Sequence, residues 1–187
     1  MRADVSEEQL EQIVASVVRK VVPAAAPGAG PQESGRVVAI GADHRGQPLK
    51  DQLIDYLRQH NYRVRDHSQL PDGSTDYPDI AEAVANDVAD GTAWRGIVID
   101  GAGIGSCMAA NKVPGVRAAL CYNHATASNS REHNDANVLS LGSGLTGPDL
   151  AQMILEIWLE TPFGGGRHAR RVDKISAIER RHSRRGT

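Results

Sequence analysis

From residue 36 onward, short apolar runs alternate with longer stretches in which apolar residues recur every three or four positions. The runs at 36–41, 62–66, 95–100, 116–121 and 137–141 read as strands. The segments 48–60, 79–90, 104–112, 124–132, 147–159 and 172–181 read as helices. The strands are mostly continuous apolar runs rather than alternating, so both of their faces need cover. Strand and helix in strict alternation therefore predict an α/β fold with a parallel sheet between helical layers. Ligands in such sheets bind beyond the carboxyl ends of the strands. That places 41–46, 100–105 and 142–147 at one rim.

Residues 1–22 form a separate unit. Ser6 and Gln9 fit a capping box, Val5 and Leu10 a hydrophobic staple. Leu10, Ile13, Val14, Val17, Val18 and Val21 then recur at helical spacing, and Arg19 and Lys20 close the last turn. A helix this short is marginal alone in water, so its apolar stripe needs a partner surface. Residues 23–35 are rich in Pro, Ala and Gly and read as a flexible linker. A tethered amphipathic helix suits docking to another protein; the alternatives are folding back on its own domain or pairing within an oligomer. Residues 36–187 make up the remaining domain.

The chemistry concentrates where the third apolar run ends at Asp100, followed by glycines at 101, 103 and 105 and a helix-compatible segment. A strand that delivers a carboxylate to a glycine-rich turn puts a base beside outward-pointing N–H groups. Such a corner suits a small anionic substrate that loses a proton. Asp43 and His44 follow the first strand, and His133, Asn134 and Asp135 precede the fifth. Arg167, His168, Arg170 and Arg171 follow three glycines near the end, and arginine's planar fork matches phosphate oxygens. Each has a structural reading as well: Asp43 as an N-cap, His133 as a helix-end cap, the arginines as surface charge. Their expected convergence on one rim favours the functional one.

Composition removes several classes of function. The 187-residue chain carries a net charge of −2, which offers no field for nucleic acid or an acidic membrane. No apolar stretch approaches the ~20 residues a bilayer span needs. Glu7, Glu8 and Glu11 interrupt the place where a signal peptide's apolar core would lie. Two cysteines, Cys107 and Cys121, make no disulfide framework, and a cytoplasmic location is the default. GAGIG differs from a dinucleotide fingerprint, because its third glycine is misplaced and Cys121 stands where an acidic residue should end the next strand. A phosphoacceptor receiver domain would need an acidic pair after the first strand and a lysine after the fifth, where Gly142, Ser143 and Gly144 stand.

Five blocks, IGADHRG, TDYPDIA, GAGIGSCMAANKVPGVRAAL, REHNDANVLSLG and GGRHARRVDKI, occur in that order. Through them residues 36–181 resemble the type B ribose-5-phosphate isomerases, a family that includes the galactose-6-phosphate isomerase subunits. The resemblance implies a three-layer α/β/α sandwich with a five-stranded parallel Rossmann-like sheet. It also implies aldose–ketose isomerisation of a phosphorylated sugar without metal or organic cofactor. A homodimer or dimer of dimers, with active sites at the subunit interface, is implied too. By the same resemblance Asp43 and His44 contact the sugar near its ring oxygen and hydroxyls, and Tyr77 lines the pocket. His133 assists ring opening with Asn134 beside the reacting carbons, and Arg167 and Arg171 hold the phosphate. The backbone of Gly101, Ala102, Gly103 and Gly105 stabilises the enediolate oxygen.

Three departures from the family, over four positions, stand out. Asp100 stands where many members have a cysteine base, and Ser106 where another group has a glutamate. Ala102 replaces a threonine or serine. Gly144 replaces a common arginine. A carboxylate at 100 serves as the base if burial raises its pKa towards neutrality. A catalytically silent assembly subunit is the competing reading. The appendage at 1–22 resembles the encapsulation peptides that carry enzymes into bacterial microcompartments, with a shell protein as the implied partner.

Overall fold

The computed structural model describes residues 35–67, 70 and 73–183. The helix expected at 1–22 and all but the last residue of the linker expected at 23–35 lie outside them. Five strands run β1 Val37–Ala42, β2 Arg63–Asp66, β3 Arg95–Asp100, β4 Ala118–Leu120 and β5 Val138–Gly142. Six helices intervene or follow: α1 Gln47–Gln59, α2 Tyr77–Ala89, α3 Ile104–Ala110, α4 His124–Glu132, α5 Pro148–Glu160 and α6 Gly166–Ser183.

All strand pairs are parallel, in the order β2-β1-β3-β5-β4. β3 and β5 sit in the middle, and every one of their residues is buried. On one face Leu49, Leu53 and Leu57 of α1 pack with Ala151, Ile154, Leu155 and Trp158 of α5 and Ala127 of α4. On the other, Ala81, Val84 and Ala85 of α2 and Ala110 of α3 cover the sheet. Gly96 lets α2 approach closely, since a Cβ there would stand 2.7 Å from Val84 Cγ1. The expected three-layer parallel architecture is thus the observed one.

Two elements differ in extent from the sequence reading. β4 keeps only three residues of the six expected, because its approach is diverted into side-chain pairing. The Arg117 N–H donates to Asn137 Oδ1 at 2.7 Å. On the outer edge, Asn111 donates through Nδ2 to the Ala118 carbonyl and accepts from its N–H, both at 2.9 Å. α6 begins six residues earlier than the periodicity suggests. Gly165 and Gly166 have φ of 58° and 51°, so the glycines that read as a loop turn the chain directly into the helix.

Candidate active site

The site is built first from the turn after β3. The Asp100 carboxylate is 5% exposed and folds back into its own loop. Its Oδ1 accepts from the N–H groups of Ala102, at 2.8 Å, and Gly103, and its Oδ2 accepts from that of Ser106 at 2.8 Å. Gly103, with φ of 77°, makes the tight turn. Burial pushes this carboxyl up, but the bonds from Ser106, Gly103 and Ala102 together outweigh it and hold it below the ordinary aspartate range. The expectation of a carboxylate raised towards neutrality is therefore reversed. Two of the N–H groups expected to face a substrate oxygen, those of Ala102 and Gly103, hold Asp100 instead.

Around this corner the rim assembles as the topology rule requires. The Asp43 Oδ1 accepts from the N–H groups of Arg45 (2.9 Å) and Gly46 (3.0 Å), so it organises the turn into α1. His44 and Arg45 project to solvent, and a Cβ on Gly101 would meet Arg45 Nη1 at 3.2 Å. Tyr77 opens α2 and packs its ring on Gly105, where a Cβ would meet ring carbon Cε2 at 2.6 Å. From β5 the Ser143 N–H donates to the Asp100 carbonyl at 2.8 Å, and the Gly144 N–H to the Gly101 carbonyl at 2.9 Å. A Cβ at Gly144 would stand 2.9 Å from that Gly101 oxygen, so an arginine there requires the two turns to separate.

The second half lies elsewhere. α4 starts after the carboxyl end of β4 and runs back, so His133 and Asn134 sit at the amino end of β5, on the opposite sheet edge. α5 also runs back, and the Gly164 N–H donates to the Glu132 carbonyl at 2.8 Å, bringing the start of α6 beside His133. The His133 and His168 rings stack with centroids 4.1 Å apart. Arg167 Nε lies 3.4 Å from His168 Nε2. Burial first, then His133, Arg167 and Arg171, push the His168 imidazole below its ordinary range. The expectation that all candidate residues share one rim is corrected: Asp43, His44, Tyr77, Asp100, Gly101, Ala102, Gly103 and Gly105 gather at one edge. His133, Asn134, Arg167 and Arg171 gather at the other, because helices between parallel strands reverse the chain. The acidic Asp135 belongs to neither set, since it pairs with Arg117 and Arg131, each at 2.9 Å.

Among the described residues, no three His, Cys, Asp or Glu side chains converge as metal ligands would, and no helix is long and apolar enough to cross a membrane. The sequence reading missed two contributors. Arg45 was legible, lying inside IGADHRG beside two chosen residues. Tyr122 carried no signal, because its partner loop is two strands away.

Residues 38–175 match the family model described as Ribose/Galactose Isomerase. The chain belongs to this family. It is 43% identical over 146 residues to the ribose-5-phosphate isomerase B of Escherichia coli, covering 78% of this chain and 98% of the relative. It is also 43% identical over 143 residues to the D-erythrulose-4-phosphate isomerase of Pectobacterium atrosepticum, covering 76% of this chain and 94% of the relative. Among solved structures, the Clostridium thermocellum ribose-5-phosphate isomerase B superposes with a TM-score of 0.75 at 49% identity, over 78% of this chain and 99% of that one. The Mycoplasma genitalium enzyme with bound ribulose-5-phosphate gives 0.73 at 40% identity, over 79% of this chain and 97% of that one. As a ribose/galactose isomerase family member, the chain is a sugar-phosphate isomerase.

Proposed function

We propose that the protein interconverts ribose 5-phosphate and ribulose 5-phosphate through a cis-enediolate, as a homodimer. The carrying observation is the division of the site residues between opposite sheet edges: the carboxylate and glycine loop on one, the imidazoles and arginines on the other. In a two-fold dimer the rim of one protomer faces the His133–Arg171 cluster of its partner, and each composite site is complete. A cavity of about 730 Å³ supports such pairing. It opens beside β4 and is lined by Ile175 and Ile178 of α6, which stand 46% and 50% exposed.

In this reading Arg167 and Arg171 hold the phosphate, and His133 with Asp43 opens the ring. Asp100 then takes the C2 proton while the C1 carbonyl pair moves onto O1. The developing oxyanion draws on the N–H groups that clamp Asp100 in the free protein, which restores basicity to the carboxylate as charge forms. O1 takes the hydroxyl proton of O2, and Asp100 returns its proton to C1. The products are a ketose and an ionised Asp100, so atoms and charge balance.

A coupled assay across ribose 5-phosphate, tetrulose phosphates and hexose 6-phosphates tests the substrate. Ribose 5-phosphate as the best substrate supports the reading. The equal 43% identity to a four-carbon isomerase favours a tetrulose phosphate as the second candidate. Inertness on all of them would favour a silent assembly subunit of the same fold. For residues 1–22 we propose docking to a microcompartment shell protein, on the strength of their amphipathic pattern. Diffuse fluorescence from a reporter fused to residues 1–35, expressed with shell proteins, would remove that assignment.

A further inference from the structure

The glycine loop is held from a direction that nothing in its own sequence announces. β5 lies between β3 and β4, so the loop leaving β3 passes over the end of β5 towards β4. Gly142 makes room, since a Cβ there would stand 2.6 Å from the Ala102 carbonyl carbon and oxygen. Tyr122, just past β4, meets the loop on the far side. Its backbone N–H donates to Thr126 Oγ1 at 3.2 Å, which ties it to the capping box of α4. Its hydroxyl donates to the Ala102 carbonyl oxygen at 3.1 Å. That oxygen and the Gly103 N–H belong to one peptide group, and the Gly103 N–H donates to Asp100. A peptide whose oxygen accepts a hydrogen bond donates more strongly through its nitrogen.

We propose that Tyr122 is a positioning residue for the isomerisation, holding the Asp100 carboxylate through the 102–103 peptide in the place from which it takes the substrate proton. The proposal rests on Asp100 as the base. Other charged or titratable groups around this corner are Arg45 and Asp43 from the turn after β1, Cys107 from α3 and Tyr77 from α2. β5 contributes Ser143, which does not titrate in this range. The structure also supplies a control. Ser140 Oγ donates to the Gly103 carbonyl at 2.6 Å, but the N–H of that peptide belongs to Ile104 and does not reach Asp100.

The test is Tyr122→Phe, which keeps the ring and removes the donor. The Asp100 carboxyl resonance, assigned by its loss in Asp100→Asn, is followed by ¹³C NMR against pH beside kcat and KM. We expect its titration to move up by about half a pH unit and the acid limb of kcat to follow. KM stays within about twofold, because no substrate contact is removed. Ser140→Ala leaves the titration in place. An unmoved Asp100 titration in Tyr122→Phe overturns the proposal, and so does an equal shift in Ser140→Ala, which would mean general loosening. If the unaltered protein converts no sugar phosphate, the reading of Asp100 as base fails, and the carboxyl titration still reports separately on the link to Tyr122.

Discussion

The imidazoles of His133 and His168 lie parallel, 4° apart with 4.1 Å between ring centroids. Two protonated rings at that separation repel, and the His168 side chain is already pushed below its ordinary value of 6.5. Below that value the unfolded chain binds a proton that folded His168 resists, so folding stability falls as pH drops through 6.5 and continues down to the depressed value. Thermal melts between pH 7.5 and 5 should show this decline, and Phe at position 168, which keeps the stack, should flatten it. An identical slope in His168→Phe assigns the loss to other groups.

Asp100 behaves with the opposite sign. Its depressed value means the stabilisation from its clamp is present above 3.8 and is lost as pH falls through the folded value. Asp100→Ala strips the acceptor from three loop N–H groups, and we expect a loss of roughly 3 kcal/mol in denaturant unfolding. Asp100→Asn should fold better than the alanine variant yet lose on the order of 10²–10⁴ in kcat, as removal of a catalytic base does. Intact turnover in that variant would transfer the proton step to another group.

Gly142→Ala forces a Cβ to within 2.6 Å of the Ala102 backbone. Neither backbone segment is free to yield, so the glycine loop has to lift. We expect destabilisation of about 1–3 kcal/mol together with a fall in kcat that exceeds any rise in KM. A melt and rate equal to those of the parent protein would show that the loop sits higher than described.

Composite sites make a quantitative claim. Asp100→Asn and Arg171→Ala should each be nearly inactive as homodimers. Mixed in equal amounts after dissociation, half the dimers carry one intact site of two, which restores about a quarter of full activity. No recovery would place the whole site within one chain.

Much of this arrangement is legible in the sequence. The largely apolar runs at 36–41 and 95–100 admit little but buried parallel strands, and they delivered Asp43 and Asp100 to the same edge. What stayed hidden came from the direction of the helices and from pairings made between distant segments. His133 sits in a conspicuous motif, yet its edge is decided by α4 running backwards, which residue spacing alone does not convey. The early start of α6 at Gly166 stayed hidden because glycine propensity disfavours helix there, while the bond from Gly164 to Glu132 fixes where the chain turns into it. The protonation of Asp100 depended on which N–H groups its own carboxylate could reach, and no pattern of residue types encodes that geometry.

The carboxamide of Asn111 occupies both hydrogen-bonding groups of Ala118 where a sixth strand would otherwise add. With only three residues in β4 and the first of them already engaged, little open edge is left for a foreign strand to zip onto. Association through this side would have to proceed by side-chain packing rather than by strand addition. At this edge, copies crowded together meet a cap where they would otherwise find a template for sheet extension.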